Sequence, residues 1–190
     1  MIEGWPGLIS GPADGLVADS LVIVDHLGDA TRLVDVGSGG GLPGLVLKIA
    51  RPDLDVTLVE ADQAKAAFLV QASAKLAVDV EVVARRAEDA ARDVRYREQF
   101  DIAVARALAP MRTLVELCLP FVRVGGRLLA QKTDIEEASH AIEVLGGRLE
   151  SVIATPSAAR VRGVIVVVAK VASTPDAYPR RAGLPNRKPL

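Results

Sequence analysis

The chain has 190 residues and a net charge of −1; half of the residues are apolar but only 3% are aromatic. A chain of that length fits one domain able to bury roughly 70% of the surface its unfolded form exposes, so it folds on its own core. The near-neutral charge removes the general attraction of a basic domain for nucleic acid, and the few aromatics argue against an extended base-stacking surface, so an RNA substrate would need local basic patches. Two such patches stand out, Arg85 with Arg86 and the tail bearing Arg180, Arg181, Arg187 and Lys188.

In chain order, residues 1–17 hold so many Gly and Pro that they read as a loose lead-in. A first helix is expected over 18–26. Apolar runs of strand length then alternate with helical patterns, the signature of repeated βα units and a mostly parallel sheet. Strands are predicted over 32–36, 55–60, 80–84, 101–105, 127–131, 149–154 and 161–170, and helices over 43–50, 63–77, 111–120 and 134–145. The last two strands lack a helix between them and should pair antiparallel at one edge. The predicted fold is α/β, a Rossmann-like seven-stranded sheet with helices on both faces, occupying residues 18–172. Residues 173–190, rich in Pro and basic side chains, are expected to lack regular structure.

Cys118 is the one cysteine and cannot form an internal disulfide. No secretory leader is legible, and the longest apolar run, 164–169, is far below the ~20 residues that span a bilayer. A cytoplasmic protein that does not enter the membrane is expected. His26 and His140 are lone histidines on predicted helices. No metal-ligand spacing and no Ser-His-Asp or Cys-His arrangement is present, so no metal is expected.

The strongest local signal is the run LVDVGSGGGLPG over 33–44, an apolar strand entering glycines and then a helix. Glycines let the backbone turn sharply and approach a ligand, Pro43 suits a first helical position, and the junction lies where ligands collect in open α/β sheets. Gly39, Gly41 and Gly44 also satisfy G-x-G-x-x-G, which keeps a dinucleotide open. Glu60, about 20 residues on, can accept from both ribose hydroxyls of either cofactor. Asp35 favours S-adenosylmethionine: a carboxylate before the loop can hold the methionine ammonium and would repel a pyrophosphate. It could instead only brace the loop through backbone N–H groups. After the third strand, Ala87 and Glu88 fit a small residue plus an acid that receive adenine, although acidic residues also suit a helix N-terminus.

With DVGSGGGLPG, RAED, ARALAP, LLAQK and YPRRAGLPNRKPL in this order, the chain resembles the GidB (RsmG) family of bacterial 16S ribosomal RNA guanine-N7 methyltransferases from about residue 19 to its end. The resemblance implies S-adenosylmethionine as cofactor and 16S ribosomal RNA or the small ribosomal subunit as partner. It implies Gly37 and Leu42, beside Asp35 and Gly39, in the cofactor loop, with Glu60 at the ribose and Ala87 with Glu88 at the adenine. Arg106 would stand at the cofactor and substrate end, and Arg86 and Lys132 would engage RNA or assist catalysis. Arg106 could instead pair with a loop carboxylate, and Lys132 could be a solvated strand-end lysine. Two departures from the family pattern are Thr133, where glycine is usual, and a short stretch before residue 19. Methylation of another RNA or a small molecule, and cofactor binding without turnover, therefore stay open. A monomer is expected.

Overall fold

The protein is described by a computed structural model over residues 12–134 and 136–190. Most of the expected lead-in lies outside these residues. The described elements are α1 (Ala13–Leu21), a 3-10 turn (Val24–His26), β1 (Arg32–Val36), α2 (Gly44–Ala50), β2 (Asp55–Val59), α3 (Gln63–Leu76), β3 (Glu81–Val83), α4 (Ala87–Ala90) and β4 (Phe100–Arg106). They continue with α5 (Met111–Cys118), a 3-10 turn (Leu119–Phe121), β5 (Val122–Lys132), α6 (Ser139–Val144), β6 (Gly147–Ala154), β7 (Val164–Lys170) and α7 (Leu184–Arg187).

The seven strands form one sheet in the order β3-β2-β1-β4-β5-β7-β6. The first five are parallel and β7 runs antiparallel to both of its neighbours, as the missing helix between the last two strands implied. Successive side chains on a strand point to opposite faces. On β1, Leu33 enters one core with Val56, Leu58, Val104 and the α3 residues Phe68 and Leu69. Val34 and Val36 enter the other, with Ala103, Ala105, Leu128 and the α5 residues Leu114 and Val115. Because both faces are covered, the strands read as continuous apolar runs rather than alternating ones. Strand order reverses between β1 and β4, which opens a crevice at their carboxyl ends.

Among the departures from the sequence expectation, four bear on the packing. Helix α1 starts at Ala13, not 18, because Gly15 is tolerated inside a helix that buries Leu16, and the chain turns before the 3-10 residues Val24–His26. Strand β5 starts at Val122, which pairs with Phe100 across a register shift that absorbs Gly125 and Gly126. Helix α6 starts only at Ser139, since Glu136 and Glu137 turn their carboxylates to the backbone N–H groups of Met111 and Ser139. The tail is fixed: it ends in the short helix α7, and Arg97 donates to the carbonyls of Thr174 and Tyr178.

Helix α1 is tied across the sheet edge by a buried ion pair. Asp19 is fully buried and accepts from Arg160 Nε at 2.9 Å and from Ser157 Oγ at 2.6 Å, while the Gln131 amide donates to the Asp19 carbonyl. Arg160 also donates to the carbonyls of Lys132 and Val164. Removing one member of such a pair strands the other charge without a partner. Arg160→Ala is thus expected to cost about 3–5 kcal/mol in urea unfolding, whereas a loss below about 1 kcal/mol would mean that Asp19 is solvated in the folded chain.

Candidate cofactor and substrate cleft

A cleft of about 390 Å³ opens at the carboxyl ends of β1, β2 and β4. Its first wall is the loop 37–42. Gly37 has φ +74°, and a Cβ there would come within 2.5 Å of Leu108 Cδ1, so the loop closes against the segment after β4 only because this residue has no side chain. The Gly37 and Ser38 N–H groups both donate to the Val59 carbonyl, which joins the loop to the end of β2.

Asp35 shares the β1 face of Leu33 and is fully buried. Its Oδ2 accepts from Gly44 N at 2.9 Å, and Oδ1 has no hydrogen-bond partner among the described residues. A Cβ on Gly44 would stand 2.7 Å from Oδ2 and 2.4 Å from Leu58 Cδ2, so α2 can start this close to β1 only at glycine. Helix α2 begins one residue later than the sequence suggested, with Pro43 at its cap. Burial raises the Asp35 carboxyl to about 7 despite the Gly44 N–H and the nearby Arg106 charge, which both lower it.

Glu60, just past β2, accepts from Gly39 N and from Asp62 N, both at 2.8 Å. Asp62 in turn caps α3 through the N–H groups of Ala64 and Lys65. The acid expected at the ribose is therefore also the clamp that holds the loop to the next helix. Each carboxylate oxygen has two acceptor sites, so these bonds leave room for hydroxyl donors.

The cleft gathers Gly37, Gly39, Leu42, Glu60, Arg86, Ala87, Glu88 and Arg106. Arg106 is half-buried at the end of β4, its pKa lowered by burial, and its Nε has no hydrogen-bond partner among the described residues. It forms no ion pair among the described residues, contrary to the loop salt bridge weighed from sequence. Glu88 is buried and accepts from Gly183 N at 2.8 Å. Arg85 and Arg86 both line the cleft, and Arg85 is also paired with Asp93 at 3.0 Å.

Lys132 does not line the cleft. Its Nζ donates to the Ala109 carbonyl at 3.1 Å and pairs with Glu136 at 2.9 Å, so it is not a freely solvated strand-end lysine either. The lining residues Lys65, Leu108, Leu117 and Asn186 were not singled out from sequence. Lys65 was approachable from the Asp62 cap, whereas Leu117 and Asn186 reach the cleft only through tertiary packing. Among the described residues, no group of three or more His, Cys, Asp or Glu could hold a metal ion, and no helix is long and apolar enough to cross a membrane.

The family model GidB, rRNA small subunit methyltransferase G, matches residues 13–160. Ribosomal RNA small subunit methyltransferase G of Moorella thermoacetica is 45% identical over 184 residues, covering 92% of this chain and 76% of that protein. Among solved structures, the mitomycin 7-O-methyltransferase MmcR has a TM-score of 0.65 at 16% identity, covering 82% of this chain and 53% of that one. A mutant of MtNAS in complex with S-adenosylmethionine has a TM-score of 0.61 at 21% identity, covering 81% of this chain and 62% of that one. These two likenesses bear on the fold.

The raised Asp35 carboxyl has a signed consequence. Between its unfolded value of 3.8 and about 7, the folded chain binds the extra proton, so this group's contribution to stability declines as pH rises through that window. Asp35→Asn is expected to lack that decline. The variant's stability relative to the parent should rise from about pH 4 to 7 and level off above, read as unfolding midpoints in urea; a constant difference across the series would refute the raised value.

Proposed function

Because the chain belongs to the GidB family, rRNA small subunit methyltransferase G, we propose that it transfers a methyl group from S-adenosylmethionine to N7 of a guanine in 16S ribosomal RNA. The observation that carries this reading is the convergence of the glycine loop, Glu60 and the unsaturated Arg106 on one cleft above the buried Asp35. A ribosomal substrate puts the activity in the cytoplasm. The reading also includes a monomer.

The residues present fit the cofactor. Asp35 Oδ1 is a buried acceptor without a partner among the described residues, but Asp35 does not itself line the cleft; it braces the start of α2 through Gly44 N. Gly37 and Gly39, both at positive φ, keep the loop free of Cβ atoms where a ligand must approach. Glu60 would hold the ribose hydroxyls, and Ala87 with Glu88 would border the adenine. When bound, S-adenosylmethionine supplies an electrophilic methyl group on a sulfonium.

Guanine N7 bears a lone pair and no proton at neutral pH, so the chain needs no general base. Its task is to align the base and exclude water. Arg106 and Arg86 offer guanidinium donors to the O6 edge of guanine, the acceptor that arginine reads best. Leu42 and Leu108 provide apolar walls beside them. Lys132, anchored by Glu136 and the Ala109 carbonyl, would serve the RNA from beside the cleft.

The test is transfer of label from S-adenosylmethionine to small ribosomal subunits of a strain lacking this activity, followed by digestion of the RNA to nucleosides. Label is expected in 7-methylguanosine, and Arg106→Ala should slow its appearance by about 10²-fold, as removal of a preorganised donor does. Label in another nucleoside, or none from a preparation that binds S-adenosylmethionine by calorimetry, would overturn the assigned substrate.

A further inference from the structure

Helix α5 buries two polar side chains, Thr113 and Glu116, and both serve the carboxyl-terminal segment. Thr113 Oγ1 donates to the Pro185 carbonyl at 3.1 Å. Glu116, 0% exposed, accepts from Arg180 at three nitrogens: the backbone N at 2.8 Å, Nε at 2.9 Å and Nη2 at 2.5 Å. Such a forked arginine–carboxylate contact fixes orientation as well as position. Arg92 adds a bond to the Pro179 carbonyl, and Glu88 Oε1 takes the Gly183 N–H.

A Pro-rich, basic segment with little apolar reason to fold is therefore held by polar bonds to buried acids. An unpaired Glu116 would be costly in that position, which makes the docking specific. Its outcome is that Asn186, exposed to solvent, joins the lining of the cleft together with Glu88 and Leu117. Glu88 Oε2 has no partner among the described residues, whereas Oε1 is committed to the tail.

We infer that the carboxyl-terminal segment is a wall of the cofactor pocket and that Asn186, beside Glu88, recognises the adenine of S-adenosylmethionine. The inference rests on the methyltransferase reading above. A carboxamide presents a donor and an acceptor side by side, the pair that matches adenine at N7 and the 6-amino group. A carboxylate can only accept, so Glu88 Oε2 is suited to the same amino group. The two side chains together would favour adenine over a purine carrying an oxo group at position 6.

Calorimetry with the full chain distinguishes the possibilities, using S-adenosylhomocysteine and S-inosylhomocysteine as probes. The parent is expected to prefer the adenosyl ligand. Asn186→Ala, at an exposed position, should weaken S-adenosylhomocysteine by up to about tenfold, the range of one hydrogen bond, and leave S-inosylhomocysteine nearly unchanged. Arg180→Ala, which removes the anchor away from the cleft, should lower the same preference in a chain whose circular dichroism shows an intact fold. Asn186→Ala binding both ligands as the parent does would overturn the inference and leave the methyltransferase reading standing. Equal weakening of both ligands would also overturn the assignment to the adenine edge. A parent that binds neither ligand would instead sink the methyltransferase reading itself.

Discussion

The hydrogen bond from Gly44 N to the buried Asp35 carboxylate is the contact on which the cleft depends. It brings the first turn of α2 against β1 at a separation that only glycine permits, and so sets the span that residues 37–42 must cross. The loop that crosses it is then tied sideways. Gly37 and Ser38 bond the last carbonyl of β2, and Gly39 bonds Glu60 beyond it. Glu60 holds Asp62, and Asp62 caps α3. Two strands, one loop and two helices are thus fixed relative to each other by a short series of polar contacts, with apolar packing filling the space between. A shift at Asp35 would be transmitted to the Glu60 carboxylate.

The parity of the sheet decides which charged side chains can meet. Asp35 and Arg106 lie on the strand face shared by Leu33, Ile102 and Val104, so they are neighbours across β1 and β4. Lys132 lies on the other face, with Leu128 and Ala130, and that face is covered by α5. The lysine therefore meets the Ala109 carbonyl and Glu136 at the start of that helix. Two cations at the ends of adjacent strands end up with different surroundings because one strand position separates their parity.

Much of this was legible in the sequence because the signals are local. Doubly covered strands leave unbroken apolar runs, and the spacing from the glycines to Glu60 follows from one β-α-β passage. What escaped depends on distant partners. The expected strand began only at 127, after Gly125 and Gly126, yet the strand continues through them because Val122 finds Phe100. The tail reads as loose because its order comes from Glu116 and Glu88, which are 64 and 95 residues away from the groups they bind. No window of residues contains that information, so Asn186 could not be assigned to the cleft beforehand. Lys132 was grouped with the site by its local motif, whereas the Ala109 carbonyl, 23 residues back, and Glu136, four residues on, hold it beside the cleft.

The availability of Arg106 follows from how the surrounding acids are already engaged. Asp19 and Asp35 both attract its charge, but Asp19 is bonded to Arg160 and Ser157, and Asp35 turns Oδ2 to Gly44. Glu60 is held by two backbone N–H groups. Each acid near the cleft thus has a structural donor of its own, and the arginine half-buried among them keeps a buried N–H unsatisfied. An unsatisfied donor in a low-dielectric setting costs free energy in the free protein. A ligand acceptor that reaches it would remove that cost.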